Sequence, residues 1–436
     1  MDQPKVLETD VLVVGAGIAG MQASLDAADQ GVRVMLVERD ASIGGRMINL
    51  SKVFPTLDCA SCITTPRMSS VAHHPRIETL THTEVLSVKR SGDGYLARLR
   101  KKPRYVVEAD CIGCRLCEEA CAEYQQDPYE HGLGATKAIA IPFTNAIPQI
   151  AVLDPETCTW CGRCAKACPT DCIDYTQEPE EFEVRATSVI MTTGSQLTPI
   201  DQKPQYGLGV LPNVLTPMQV ERLLAPHGPY GRVIRPGDGK IPDSIAFVQC
   251  AGSRDLSLGT GYCSRVCCMY AIKQAILLSG SLPIADITIY YMDIRAFGKG
   301  YEQFYASARA MGINFVKAKV ARVTEDAEHN PILRIERQED DCRVEEVHHD
   351  MVVLSLGMVS GADPELFDSC GVRLSPDGFI DPSRLLHSPT RTSAQGIFSA
   401  GTANGPKDIV DSIMDAGSAA MEALSHLRKT NAKRTP

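Results

Sequence analysis

The apolar and polar positions are most regular at the start of the chain. Asp10 is followed by Val-Leu-Val-Val, a run apolar enough to be covered on both faces, and then by Gly15-Ala-Gly17-Ile-Ala-Gly20. This pattern predicts a short strand, a tight turn and an amphipathic helix to about Gln30. A second strand from Val32 to Val37 follows, ending in Glu38. Between Arg76 and Arg104 the alternation predicts a hairpin that turns at Ser91-Gly92-Asp93-Gly94. Further strands are read at Val189–Gly194, Ser244–Ser253 and Gly396–Gly401, with a closing helix from about Lys407 to Leu427. Strands interleaved with helices make this an α/β chain.

The glycines give the first strand its chemistry. Gly15, Gly17 and Gly20 allow a tight turn in which backbone amides and a helix N-terminus approach a pyrophosphate, and Glu38, eighteen residues past Gly20, can accept hydrogen bonds from a ribose hydroxyl. The bland alternative is an incidental glycine turn, which the strand, helix, second strand and terminal acid together oppose. Gly44-Gly45-Arg46 resembles the second glycine turn of two-dinucleotide-binding-domain flavoproteins. Val189-Ile-Met-Thr-Thr193-Gly194 and Gly396-Ile-Phe-Ser-Ala-Gly401 resemble their strands that return to the flavin. The resemblance favours FAD over NAD and adds Gly44, Gly45, Arg46, Thr193, Gly194, Gly401 and Lys407 to the expected contacts. The implied fold is thioredoxin-reductase-like.

Twelve of the seventeen cysteines form three sets. Cys111, Cys114, Cys117 and Cys121, then Cys158, Cys161, Cys164 and Cys168, repeat the C-x2-C-x2-C-x3-C run of bacterial ferredoxins. In ferredoxin-like domains the fourth cysteine of each run ligates the other cluster. One [4Fe–4S] is therefore expected on Cys111, Cys114, Cys117 and Cys168, and another on Cys158, Cys161, Cys164 and Cys121. Two structural zinc sites are the alternative. Cys172, outside the pattern, reads as a packed free cysteine, and Ala122–Ile150 as a segment wrapping against the flavin domain. The third set is Cys250, Cys263, Cys267 and Cys268. It falls where the second nucleotide domain should carry a glycine-rich turn, of which only Gly252 remains. A helix beginning at Cys263 would put Cys263 and Cys267 on one face. A third cluster in place of a nicotinamide is expected, against the alternative of small buried thiols. Lys273, on the same helix, is either a surface lysine or a cation beside a flavin nitrogen.

Composition narrows the classes. The 436 residues carry a net charge of −9, which opposes nucleic-acid binding, and no apolar run approaches the roughly 20 residues of a membrane span. The metal-type spacings and the absence of an apolar leader in Met1–Thr9 point to a reducing, anoxic cytoplasm.

Six further stretches, Phe54-Pro-Thr-Leu-Asp-Cys59-Ala-Ser-Cys62-Ile, Ala140-Ile-Pro-Phe-Thr-Asn-Ala-Ile-Pro148, Gln249-Cys-Ala-Gly-Ser-Arg-Asp255, Tyr262-Cys-Ser-Arg-Val-Cys-Cys268, Asp293-Ile-Arg-Ala-Phe-Gly298 and Pro406-Lys-Asp-Ile409, span nearly the whole chain. In them the sequence resembles the A-type subunit of heterodisulfide reductase, an electron-bifurcating flavoprotein of methanogens with relatives in sulfate reducers. The resemblance implies that the third cysteine set holds a cluster close to FAD, that Lys273 lies beside the flavin, and that Cys59 or Cys62 can complete a fourth, shared cluster. It further implies other subunits of a heterodisulfide-reductase-like complex, an electron-donating hydrogenase, formate dehydrogenase or similar module, and a homodimer within that complex. A short form is expected, without the family's N-terminal cluster domain and C-terminal ferredoxin domain.

The expected organisation is an FAD-binding domain in three parts (1–102, 181–241 and 355–436), an inserted ferredoxin-like α+β domain (103–180), and a degenerate nicotinamide-type domain (242–354). Two other functions fit parts of the sequence. One is the A-type subunit of a quinone-interacting oxidoreductase complex. The other is an NAD(P)H-dependent disulfide oxidoreductase using Cys59 and Cys62.

Overall fold

A computed structural model describes residues 6–199, 201, 203–338, 342–382 and 387–434. The chain builds two seven-stranded sheets with a cysteine-rich insert beside them. In the first sheet, strand Val6–Val14 lies between Val34–Val37 and Glu180–Met191, parallel to both. Val11, Leu12 and Val13 are wholly buried, because helices cover one face of this parallel stretch and other chain segments the opposite one. On one face the helices Ile18–Asp29 and Ile409–Arg434 pack through alanines: Ala19, Ala23 and Ala27 on the first, Ala416, Ala419, Ala420 and Ala423 on the second.

Strand Glu180–Met191 has two roles. Its first half pairs antiparallel with Gly94–Lys101, the inner strand of the expected hairpin, and its end pairs parallel with Ile397–Ser399. The second strand starts at Val34 rather than Val32. Arg33 is held in the preceding turn, where its carbonyl accepts from the amides of Asp10 and Val11 and its own amide donates to the Asp10 carboxylate.

The second sheet runs Val214–Leu215, Met351–Leu356, Ser244–Ala251, Asp286–Tyr291, Asn314–Glu325, Pro331–Arg337, Val344–His348. Helix Cys267–Ser281 crosses between the adjacent parallel strands Ser244–Ala251 and Asp286–Tyr291. Strand Val214–Leu215 pairs with Met351–Leu356, and helix Pro217–Leu224 packs on the same sheet, although the sequence assigns 181–241 to the flavin domain. The two sheets are also linked by a ribbon of Ser195–Leu197 with Met358–Ser360.

The insert leaves the first sheet after Lys101 and returns at Glu180, its ends joined by a bridge between Val106 and Ile173. Each half carries one short helix, Leu116–Ala120 or Arg163–Ala167, entered through a left-handed residue (Arg115 or Gly162) and ending at the fourth cysteine of its run. The segment between the runs touches chain segments that flank both sheets. Tyr129 donates from its hydroxyl to the Ile48 carbonyl, and Ile147 bonds Ile43 and Ser42. Against the second sheet, Glu130 receives two hydrogen bonds from the buried Arg222 guanidinium, at 2.8 and 3.0 Å. Removing one partner of such a pair strands the other charge. Glu130→Gln should therefore cost about 3 kcal/mol in denaturant unfolding, and a loss below about 1 kcal/mol would contradict this.

Candidate functional site

The crevice at the end of strand Val6–Val14 is shaped by glycines that have no room for a side chain. Gly15 has φ +101°, and a Cβ there would sit 2.4 Å from the Thr192 carbonyl oxygen. The glycine turn Gly44-Gly45 is laid directly on Gly17: a Cβ on Gly45 would come within 2.6 Å of the Gly17 Cα. The two expected glycine turns thus meet across one narrow cleft.

Thr192, which the sequence reading passed over, fastens this region by donating to the Val14 and Gly15 carbonyls at 2.9 and 2.7 Å. Its neighbour Thr193 has a buried hydroxyl with no partner among the described residues. Glu38 lies at the end of the second strand, its carboxylate accepting from the Ala16 and Asp40 amides at 2.7 and 3.0 Å. Burial first, then nearby Asp40, pushes its carboxyl up to about 7. Arg46 donates to the Ser195 carbonyl, and Gly194 and Gly401 close the far side, Gly401 tight against Ala19. Lys407 is paired with Asp415 on the closing helix. A cleft of backbone amides with an acid at the ribose position and an unpartnered hydroxyl fits FAD.

The cysteine runs surround two cavities, and each cavity takes its fourth cysteine from the other run. One is lined by Cys111, Cys114, Cys117 and Cys168, together with Cys172. The other is lined by Cys158, Cys161, Cys164 and Cys121. Among the described residues no three His, Cys, Asp or Glu side chains converge closely enough to hold a single ion. Thiols spread around a cavity suit a polynuclear cluster, whose own iron and sulfide core fills the space between them. Burial pushes Cys117 up to about 12, so an empty site holds a protonated thiol there, and cluster assembly must release that proton.

The third set gathers where strand Ser244–Ala251 meets helix Cys267–Ser281. The pairing of the strand shifts between Val248 and Ala251, and Cys250 adopts φ +58° at this irregularity, which turns it out of the ladder. Cys267 and Cys268 occupy the buried first turn of the helix, where backbone amides favour negative charge. Cys263 is not on that helix, contrary to the sequence expectation. Arg265 at φ +61° and the Ser264 hydroxyl, bonded to Ser253 and to the Met358 amide, hold residues 263–266 in a turn. Burial and then the neighbouring thiols push Cys267 upward, and burial carries Cys268 to about 11.

Lys273 is buried, donating to the Lys52 carbonyl at 2.8 Å and paired with Glu221, an acid that nothing in the sequence had singled out. Cys59 caps helix Ala60–His73, its sulfur accepting from the Cys62 amide at 3.3 Å, with Cys62 exposed.

Comparison with known proteins agrees with this geometry. Residues 10–58 match the model of the family described as FAD dependent oxidoreductase, and residues 110–172 match the 4Fe-4S dicluster domain. In overall fold the chain is similar to thioredoxin reductases from T. acidophilum (TM-score 0.55, 16% identity, 96% of this chain and 98% of that one) and Lactococcus lactis (0.54, 15%, 97% and 99%). The class is an oxidoreductase with FAD and 4Fe–4S cofactors on a thioredoxin-reductase-like fold.

Within that class the chain is a homologue of the heterodisulfide reductase A-type subunits. It is 41% identical to the A-type subunit of the H(2):CoB-CoM heterodisulfide,ferredoxin reductase of Methanothermobacter marburgensis, over 96% of this chain and 64% of that protein. It is likewise 41% identical to the A-type subunit of the Ferredoxin:CoB-CoM heterodisulfide reductase of Methanosarcina mazei, over 96% and 53%. The chain thus spans between about half and two thirds of these relatives' lengths.

Proposed function

We propose that this protein is the FAD and iron–sulfur electron-transfer subunit of a heterodisulfide-reductase-like complex. The observation that carries the reading is the crossed membership of the two cavities, which is the ligand arrangement of a two-cluster ferredoxin. Cys111, Cys114, Cys117 and Cys168 would hold one [4Fe–4S], and Cys158, Cys161, Cys164 and Cys121 a second. Cys250, Cys263, Cys267 and Cys268 would hold a third.

Gly15, Gly17, Gly20, Gly44 and Gly45 would admit the FAD pyrophosphate, with Glu38 on a ribose and Arg46, Thr193, Gly194, Gly401 and Lys407 around the rest. When bound, FAD exchanges electron pairs and the clusters pass single electrons. Lys273 reaches the backbone seven residues beyond Gly45, which supports a place near the flavin, with Glu221 balancing its charge. The family likeness supports partner subunits, with a hydrogenase, a formate dehydrogenase or a similar donor among them and two copies of this chain in the complex. Among the described residues no helix is long and apolar enough to cross a membrane.

An NAD(P)H-dependent disulfide reductase is the second reading, favoured by Cys59 and Cys62 at a helix N-terminus. Against it, the first turn of helix Cys267–Ser281, where a pyrophosphate would have to approach, is filled by Cys267 and Cys268. Anaerobic mixing separates the two: the flavin should stay oxidised with NADH or NADPH and bleach with dithionite. Rapid bleaching by either nicotinamide would overturn the proposal.

Glu38 gives a pH test. Between about 4.5 and about 7 the folded, FAD-free chain keeps a proton that the unfolded chain has lost, so Glu38 adds stability at low pH that disappears as pH rises through about 7. Ribose hydroxyls donating to the carboxylate favour its charged form. FAD affinity should therefore rise with pH across this window, and Glu38→Gln should flatten the profile. A wild-type affinity independent of pH would remove Glu38 from the site.

A further inference from the structure

We propose that Cys172 and Tyr175 each donate a hydrogen bond to a thiolate ligand of a different cluster, and so set the two cluster potentials separately; this rests on the crossed-ligand reading above. Cys172 is buried, and its sulfur lies 3.4 Å from that of Cys168 in the first cavity. The Cys172 amide reaches the same sulfur at 3.4 Å, and the Thr170 hydroxyl stands 3.6 Å from it. A ligating Cys168 has no proton to give, so it accepts and the Cys172 thiol donates.

Three residues on, the Tyr175 hydroxyl lies 3.1 Å from the Cys164 sulfur in the second cavity. Its ring is held edge-on by Trp160, with centroids 5.7 Å apart. One short segment thus serves both cavities. In the other half of the insert, Cys121 faces the Glu123 carbonyl, an acceptor, at 3.7 Å. Hydrogen bonds to cluster sulfurs favour the more negative, reduced state and raise the potential.

The test is an anaerobic dithionite titration of the full chain, with each reduced cluster followed by its paramagnetic signal. Cys172→Ala should leave one cluster about tenfold less reduced at a fixed potential, a downward shift of about 59 mV for a one-electron couple. The other clusters should stay in place. Tyr175→Phe should move a different cluster in the same direction. Cys172→Ser, which keeps a donor, should stay near wild type.

Unchanged potentials in both alanine and phenylalanine variants would overturn the inference. So would an equal shift of all clusters in either variant, which is what a merely structural role produces. Loss of about four iron atoms in Cys172→Ala would also overturn it, by making Cys172 a ligand. Absence of any iron–sulfur signal in the wild type would instead remove the cluster reading beneath it.

Discussion

Gly20→Ala is expected to yield protein without FAD. Gly20 sits in the first turn of helix Ile18–Asp29, and a Cβ there would lie 1.8 Å from the Gly15 carbonyl oxygen and 2.7 Å from the Thr192 hydroxyl. Neither neighbour can give way. The Gly15 carbonyl belongs to the turn itself, and Thr192 is fixed by its bonds to Val14 and Gly15. The helix must move off the strand, at a cost of about 3 kcal/mol, and the amides aimed at the pyrophosphate move with it. Gly280→Ala is the control, because nothing lies within 4 Å of that position and alanine is the better helix former. It should keep its flavin and melt slightly higher. Flavin absorbance per protein after desalting reads both, and Gly20→Ala with a full complement would contradict this account of the crevice.

The second large effect concerns the third cysteine set. Cys267→Ala and Cys268→Ala should each remove about four iron atoms per chain and leave the two ferredoxin-type clusters in place. Both thiols are buried in the first turn of a helix that shares no element with the insert. Burial pushes the Cys268 thiol up to about 11, so a cluster bound there would have to displace its proton. A variant with all its iron and an unchanged paramagnetic spectrum would show that the residue is no ligand.

What the sequence disclosed follows from how local each signal was. The strand-turn-helix at Asp10–Gln30 rests on periodicity and turn residues within a few positions and formed as read. Of the hairpin read between Arg76 and Arg104, only Thr83–Lys101 forms it, Ile77–Leu80 pairing parallel with Val34–Val37 instead. The ferredoxin spacing also anticipated that Cys168 would line the cavity of the first run and Cys121 that of the second. The misreadings had distant causes. Cys263 was placed on a helix by its spacing from Cys267, but Ser264 is held in a turn by Met358, which is 94 residues away. Strand Val214–Leu215 is two residues long, too short for any alternation, and exists because Met351–Leu356 offers it an edge. Glu221 escaped notice because its partner Lys273 lies on another helix, 52 positions on.

The most direct test of the whole account is iron and flavin analysis of the protein purified without oxygen. Three cysteine sets around one FAD predict about twelve iron atoms per flavin. A ratio near eight would remove the cluster at Cys250, Cys263, Cys267 and Cys268. Zinc in place of iron would contradict the electron-transfer reading itself.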